Sequence, residues 1–334
     1  WEIDLFGRLQ SLRDQALETY LASEDTLRST RISLVAEVAA AYLTLSADSA
    51  QLDIARETLA SQQHSLALTR KRVELGVGSE LELRQIETSV ETARRDVASY
   101  TAQVAMDRNA LVLLAGAPLP DSLLPPAGLD SVTALRPLPA GLPSTVLQER
   151  PDVLAAERAL RAANASIGAA RAAFFPRISL TATAGSASAS LGGLFAAGTG
   201  AWTFIPQVSL PLFDGGANRA NLQVAEADRD IALARYEQTL QSAFREVADA
   251  LAQRATVDTR LDAQQKLVDA TAASYRLSEA RYLKGVDSYL STLDAQRNLY
   301  AARQNLVSLK LAAASNSVTL YKVLGGGALS PANP

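Results

Sequence analysis

Cysteine is absent from the 334-residue chain, histidine occurs once, and aromatic residues amount to 5% although 48% of the residues are hydrophobic. Without thiols there is no disulfide, no thiolate nucleophile and no thiolate metal site, and the lone His64 cannot supply a set of imidazole ligands. His64 lies in a helical pattern and reads as a surface or seam residue. Asp214-Gly215-Gly216 reads as a strand-to-helix turn and not as a phosphate loop, since neither a lysine nor Rossmann spacing follows it. These residues assign no catalytic site, no metal site and no cofactor. Charge of one sign is missing too: 32 Lys+Arg against 35 Asp+Glu leave a net charge of -3, with no basic field for a nucleic acid partner. No run approaches the ~18 consecutive apolar residues of a membrane-spanning helix. Trp1-Glu2-Ile3-Asp4 carries neither the basic nor the apolar region of a signal peptide.

Glycine and proline, the strongest helix breakers, are missing from long stretches as well. Arg8 to Leu75 and Ala217 to Lys284 are each 68 residues without either, Ser79 to Ala115 is 37 and Val286 to Leu324 is 39. Seven of the 13 prolines instead crowd into Ala117–Pro143, which is expected to lack regular structure. An offset of 209 residues superposes Ser33–Gly116 on the second half without a gap, placing Glu37-Val38-Ala39 on Glu246-Val247-Ala248, Arg72 on Arg281, Gly76-Val77 on Gly285-Val286, and Leu81 on Leu290. The chain is therefore a tandem repeat. Its unit is too long for a solenoid and reads as a duplicated helical hairpin with one long and one shorter arm.

Within the first long arm, Leu34, Val38, Ala41, Leu45, Asp48, Leu52, Ala55, Leu59, Gln62 and Leu66 advance by alternate steps of four and three, a heptad seam with two polar interruptions. A helix of that length would be a rod of about 100 Å at 1.5 Å per residue. Ala36, Ala39, Ala40, Ala47 and Ala50 flank the seam and favour helices packed side by side in an array. An isolated two-stranded coiled coil remains the alternative.

Between the repeats the period changes. Pro151 and Asp152 suit the first turn of a helix that runs through Ala155, Leu160 and Ile167 to Phe175, before Pro176. Ile178, Leu180, Ala182 and Ala184 then alternate with Ser179, Thr181 and Thr183, a strand with one apolar and one polar face. A loop over Gly192–Gly200 leads to a second alternating strand, Trp202 to Leu212, of about the ten residues that cross a bilayer at a tilt. A water-filled transmembrane barrel needs this pattern; a hairpin on a soluble core is the alternative. Two strands cannot close a barrel, and open edges do not survive in lipid. By repeat logic, strands that precede the second hairpin at Leu212-Phe213-Asp214-Gly215 should also precede the first at Leu5-Phe6-Gly7. Trp1–Phe6 is then expected to be the tail of a strand whose beginning, with a partner strand and any export signal, precedes these residues. Several copies would have to share one barrel.

The segments are accordingly 1–6, the end of a barrel strand; 7–116, the first hairpin; 117–150, the Pro-rich segment; 151–175, the middle helix; 176–212, the strand pair; 213–325, the second hairpin; and 326–334, the tail.

Several motifs resemble the outer-membrane efflux proteins, the TolC-like channels, and within them the OprM-like branch. They are Trp1-Glu2-Ile3-Asp4-Leu5-Phe6-Gly7-Arg8, Glu149-Arg150-Pro151-Asp152-Val153, Ala162-Ala163-Asn164-Ala165-Ser166-Ile167-Gly168-Ala169-Ala170-Arg171 with Phe174-Phe175-Pro176, and Arg281-Tyr282 with Gly285-Val286-Asp287 and Leu293-Asp294-Ala295-Gln296. The resemblance covers nearly the whole chain. It implies a mainly α fold with a β-barrel part: a homotrimer whose protomers each give four strands to a 12-stranded outer-membrane barrel and long hairpins to a periplasmic α-barrel of 12 helices. The Pro-rich segment and the chain end would lie in an equatorial region. The first strands and the N-terminal lipid-bearing cysteine usual in this branch are not among these residues.

The resemblance further implies a non-enzymatic exit duct of a tripartite efflux pump, in outer-membrane lipid, working with a periplasmic adaptor and an inner-membrane transporter. A duct for type I protein secretion and a soluble coiled-coil scaffold are the alternatives. The turns at Gly76 and Gly285 would form the tip facing the inner membrane. Leu290 and Asp294, spaced i, i+4 on one helix face, match the innermost rings, an apolar plug and a cation-binding acidic ring. Arg281 and Tyr282 match positions that tie the inner hairpin to its neighbours when closed, with Glu82 as a possible acceptor.

Overall fold

The computed structural model describes residues 1–129 and 145–326. In chain order they form β1 (Glu2–Ile3), α1 (Arg8–Glu74), α2 (Glu80–Ala115), a 3-10 turn (Asp121–Leu123), α3 (Thr145–Gln148), α4 (Pro151–Ala172), β2 (Arg177–Ser186), a 3-10 turn (Leu191–Gly193), β3 (Gly200–Ser209), α5 (Ala217–Leu283) and α6 (Tyr289–Val323). The Pro-rich segment is thus not wholly irregular, since it holds a 3-10 turn and α3; the part of it from 130 to 144, and the tail from 327 onward, lie outside the described residues.

The duplication is more regular in backbone than in sequence. Helices α1 and α5 are both 67 residues long, and their starts, Arg8 and Ala217, stand at the same offset of 209 as the turn glycines Gly76 and Gly285. Gly7 and Gly216, Gly76 and Gly285, and Gly116 and Gly325 all adopt positive φ, the left-handed conformation that ends or precedes a helix without a Cβ penalty. The backbone repeat therefore begins at the head of the long helices, upstream of the sequence match at Ser33.

Two compact units share the chain. One comprises Trp1–Ser29 with Ser144–Phe244, and the other Thr30–Pro143 with Arg245–Pro334; α1 and α5 run unbroken through both. In the first unit the strands form an antiparallel sheet of order β1-β2-β3. The second strand of the pair differs from expectation: it begins at Gly200 and ends at Ser209, not Leu212. The register gives the reason, because Ser209 already pairs with Arg177, the first residue of β2, and Pro211 has no N–H to continue a ladder.

Residues opposite one another in an antiparallel pair point to the same face. Trp202, Phe204, Pro206 and Val208 therefore share a face with their partners Ala184, Ala182, Leu180 and Ile178, all apolar. The other face carries Thr203, Gln207 and Ser209 opposite Thr183, Ser179 and Arg177, with Ile205 opposite Thr181 and Ala201 opposite Gly185 as apolar exceptions; the last pair of the first face is Ser186 with Gly200. Every residue of β3 is exposed, Trp202 by 77% and Phe204 by 56%. Pro206 is tolerated mid-strand because its partner Leu180 donates its N–H to the Trp1 carbonyl at 2.6 Å, on the β1 side. The backbone groups of this pair thus point away from the β2–β3 seam, and the missing donor falls on the outer edge of β3.

Helix α4 stops at Ala172, short of the expected Phe175. Phe174 and Phe175 instead donate to Arg171 and Ala172 in a tightened last turn before Pro176, and the Phe175 ring stacks on Phe6 with centroids 4.7 Å apart. Gly168 lets α4 lie close on α1: a Cβ there would meet the Ser11 hydroxyl at 2.5 Å. Arg158 of α4 clamps the pair, its Nε on Asp25 at 2.8 Å and a terminal nitrogen on Glu18 at 3.3 Å, with Arg28 a further 3.7 Å contact to Asp25.

In the second unit the seam of α1 is buried at Leu45, Leu52, Ala55 and Gln62, whereas Leu34 is exposed and Val38 half-buried. Leu43, Ser46, Ala47 and Gln51 are buried on flanking positions, so the helix is covered on more than one side, as the array reading expects. Polar side chains in these seams bond carbonyls of the facing helix: Gln51 donates to Gln304 at 3.0 Å, Gln264 to Ala302 at 2.9 Å and Asn316 to Ala250 at 3.0 Å.

The Arg158 clamp should outweigh the surface ion pairs. Arg158→Ala leaves Asp25, which is only 4% exposed, with the longer Arg28 contact as its ion pair, and is expected to destabilise the protein by ~2–3 kcal/mol. Arg161→Ala, which breaks the exposed i,i+4 pair with Glu157, should cost less than ~0.5 kcal/mol. Denaturant unfolding of the two variants measures both; equal losses would contradict the assignment.

Candidate functional site at the hairpin tips

The two hairpin turns are built alike. After α1, Gly76 donates to Val73 at 2.9 Å and Val77 to Arg72 at 2.9 Å; after α5, Gly285 donates to Tyr282 at 2.9 Å and Val286 to Arg281 at 3.0 Å. Both are Schellman closures. Ser79 caps α2 through its hydroxyl, which accepts from the Leu81 N–H at 3.2 Å.

Their side chains differ. Arg281 turns back on its own hairpin, with Nε 2.5 Å and a terminal nitrogen 3.0 Å from the two oxygens of Asp287. This fork holds the Asp287 carboxyl below, and the Arg281 guanidinium above, their ordinary pKa ranges, through the mutual hydrogen bonds first. At the offset of 209 the first repeat has Gly78 in place of Asp287, and Arg72 has no such partner. Its guanidinium lies instead over the ring of Tyr282, 5.1 Å from the centroid.

Tyr282 is buried in a cluster that joins all four arms: Ile86 and Val90 of α2, Tyr282 of α5, and Tyr289 and Leu293 of α6, with Leu59 and Leu66 of α1 against them. Tyr282 and Tyr289 meet edge to face at 5.4 Å. Tyr289, 2% exposed, donates its hydroxyl to Gln62 at 3.3 Å, and Gln62 donates to Gln296 at 2.6 Å. Burial raises the Tyr289 phenol above its usual range, while Glu82 is half-buried on α2.

With Tyr289, Thr292, Leu293 and Gln296 turned inward, α6 presents Leu290 (49% exposed) and Asp294 on its exposed side. Of the residues expected to act together, the chain thus brings Leu290 and Asp294 onto one face and puts Tyr282 into the core. It pairs Arg281 with Asp287, and no ion pair joins Arg281 to Glu82 among the described residues. Sequence reasoning missed Asp287, Tyr289 and the Gln62–Gln296 pair. The mismatch of Asp287 with Gly78 in the repeat alignment was the available signal for the first; nothing in the pattern pairs Gln62 with Gln296. His64 is exposed, and Asp214 accepts from the N–H groups of Gly216 and Asn218 at 2.9 and 2.8 Å, capping α5 as a strand-to-helix turn should.

Farther along the same unit, the half-buried carboxyl of Asp48 on α1 lies against Asp107 on α2. Burial, then the contact with Asp107, pushes Asp48 up to about 6 from 3.8. Gln103 donates to one Asp107 oxygen at 2.9 Å, while the other is buried without a partner. The native state binds the Asp48 proton more tightly than the unfolded chain does, so its stabilising effect is complete below pH 3.8 and is lost as pH rises through about 6. Asp48→Asn supplies a permanent N–H donor to Asp107. It should raise the melting temperature by ~2–4 °C at pH 7.5, the equivalent of about 1 kcal/mol, and leave it unchanged at pH 4. A gain at pH 4 as large as that at pH 7.5 would contradict the raised titration of Asp48.

Comparison with known proteins agrees with this architecture. The family description "outer membrane efflux protein" matches residues 1–117 and 142–326. The toluene efflux pump outer membrane protein TtgC of Pseudomonas putida is 51% identical over 327 residues, which are 98% of this chain and 67% of that protein. The outer membrane protein OprJ of Pseudomonas aeruginosa is 44% identical, over 98% of this chain and 68% of its own length. Among solved structures, the open-state MtrE outer membrane channel of Neisseria gonorrhoeae superposes with a TM-score of 0.87 at 41% identity, covering 98% of this chain and 74% of that one. A match over most of the chain, identity of this extent and a shared backbone place the protein in the outer membrane efflux protein family, in its OprM-like branch.

Proposed function

We propose that the protein is the outer-membrane exit duct of a tripartite efflux pump, passing small molecules from an inner-membrane transporter, by way of a periplasmic adaptor, to the exterior. The observation that carries this reading is the two-faced sheet: a ladder with one side apolar from Ile178 to Ala184 and from Trp202 to Val208, and the other side mostly polar, exposed along all of β3, suits a barrel wall between lipid and water. The relatives named for efflux favour small-molecule export over protein secretion, and the sheet argues against a soluble scaffold.

Closure of the wall calls for more strands than these. A homotrimer with four strands per protomer, 12 in all, satisfies that need. Exposed apolar residues along the long helices, among them Leu17, Tyr20 and Leu27 on α1 and Val224, Ile231 and Phe244 on α5, supply surface for neighbouring copies in the α-barrel.

At the tip, Leu290 and Asp294 from three copies form an apolar ring and an acidic ring at the constriction. Carboxylates brought together at a three-fold axis repel, so closure depends on tethers or bound cations. Arg281 keeps N–H donors beyond the two that Asp287 accepts, and these can reach a carboxylate of a neighbouring copy. Tyr282 anchors α5 to the cluster beneath, and Glu82 is the acidic neighbour on the first hairpin.

Full-length protein in detergent is expected to run as a helix-rich trimer by light scattering and circular dichroism; a folded monodisperse monomer would refute the barrel. In planar bilayers Leu290→Ala should raise single-channel conductance several-fold, and Asp294→Ala should weaken cation selectivity. Leu81→Ala, the equivalent change in the first repeat, should do less. Identical conductance and selectivity in all of these variants and the wild type would remove Leu290 and Asp294 from the constriction.

A further inference from the structure

The two turns share a backbone but not a way of using their arginine. In the second, Asp287 takes up Arg281. In the first that solution is sterically closed, because Gly78 packs directly on the end of α1: a Cβ there would come within 2.8 Å of the Val73 nitrogen and 3.0 Å of the Arg72 carbonyl carbon. Arg72 enters no ion pair among the described residues, and its carbonyl is fixed by the bond from Val77. Its half-buried side chain rests on the second hairpin, over the face of Tyr282.

Tyr282 complements this contact. Its ring is edge-on to Tyr289, the first residue of α6, and its hydroxyl is buried without a hydrogen-bond partner. The working surface of Tyr282 is thus the electron-rich ring face, which attracts a guanidinium, and not the hydroxyl. Tyr289 begins the helix whose next turns carry Leu290 and Asp294, so a force on the Tyr282 ring is passed by direct contact to the constriction.

We propose that Arg72 is a positioning residue of the gate: its guanidinium, laid on the Tyr282 ring, latches the first hairpin to the second and holds α6 in the constricting position. The latch rests on the duct reading above. It belongs to the first repeat alone, since Arg281, the equivalent residue, is bound within its own turn.

The test uses the full-length trimer, with single-channel conductance in planar bilayers and amide hydrogen exchange around Gly285 as separate readouts. Arg72→Gln and Tyr282→Leu should each raise conductance at least twofold and speed exchange in that turn. Arg72→Lys and Tyr282→Phe, which keep a cation and a ring face, should stay near wild type in both. If Tyr282→Phe opens the channel as far as Tyr282→Leu, the hydroxyl is what matters and the proposal fails. It fails equally if Arg72→Gln leaves conductance and exchange unchanged. Faster exchange in Arg72→Gln and Tyr282→Leu, with no conduction by any version including wild type, would uphold the latch and overturn the duct.

Discussion

A helix of 67 residues with no wide apolar stripe cannot be held by one partner, and the architecture of this chain follows from that constraint. In α1 the buried residues are mostly small or polar and fall on more than one side: Ala36, Ser46, Ala47, Gln51, Ala55, Gln62 and Thr69. Small side chains let backbones come close enough for dispersion contacts to accumulate over many turns. The NH2 groups of buried Gln51 and Asn316 then find carbonyls on the next helix, while their own amide oxygens stay buried without a partner.

Duplication supplied two such hairpins with one backbone, and divergence gave them different duties. The positive-φ glycines and Schellman turns are retained at the same offset. Several side chains are not. Asp287 stands where Gly78 does, and Tyr289 where Glu80 does; Val257 and Asn316 stand where Asp48 and Asp107 do. Aromatic mass for the shared cluster thus comes from the second repeat alone, while the first contributes Ile86, Val90 and aliphatic residues of α1.

The strands obey a different requirement. One face of the β2–β3 ladder is apolar from Ile178 to Trp202, and the outer edge of β3 lacks a donor at Pro206. Such a sheet is stable only where another medium or another chain meets the apolar face. Pro206 then has a second consequence: whatever strand pairs with the outer edge of β3 must do so with one ladder bond fewer at that point.

Much of this was determined by the sequence alone. Absence of glycine and proline over 68 residues set the long helices to within a residue of their observed ends, and period-2 alternation located both strands. These are local properties, decided by backbone propensity and side-chain spacing, and the repeat offset made each half a check on the other. Strand ends were less legible, since Ser209 terminates β3 only because β2 has no residue left to pair with it. Leu290 and Asp294 could be set on one face by spacing, but only the packing of Tyr289, Leu293 and Gln296 shows that this face is the exposed one. Which partner Arg281 and Arg72 would take was decided by tertiary structure. Both occupy the same place in the last turn of their long helix; Gly78 in place of Asp287 already shows in the sequence that Arg72 lacks a carboxylate within its turn, but its place over a ring on another helix, 5.1 Å from the centroid, is set by packing between residues far apart in the chain.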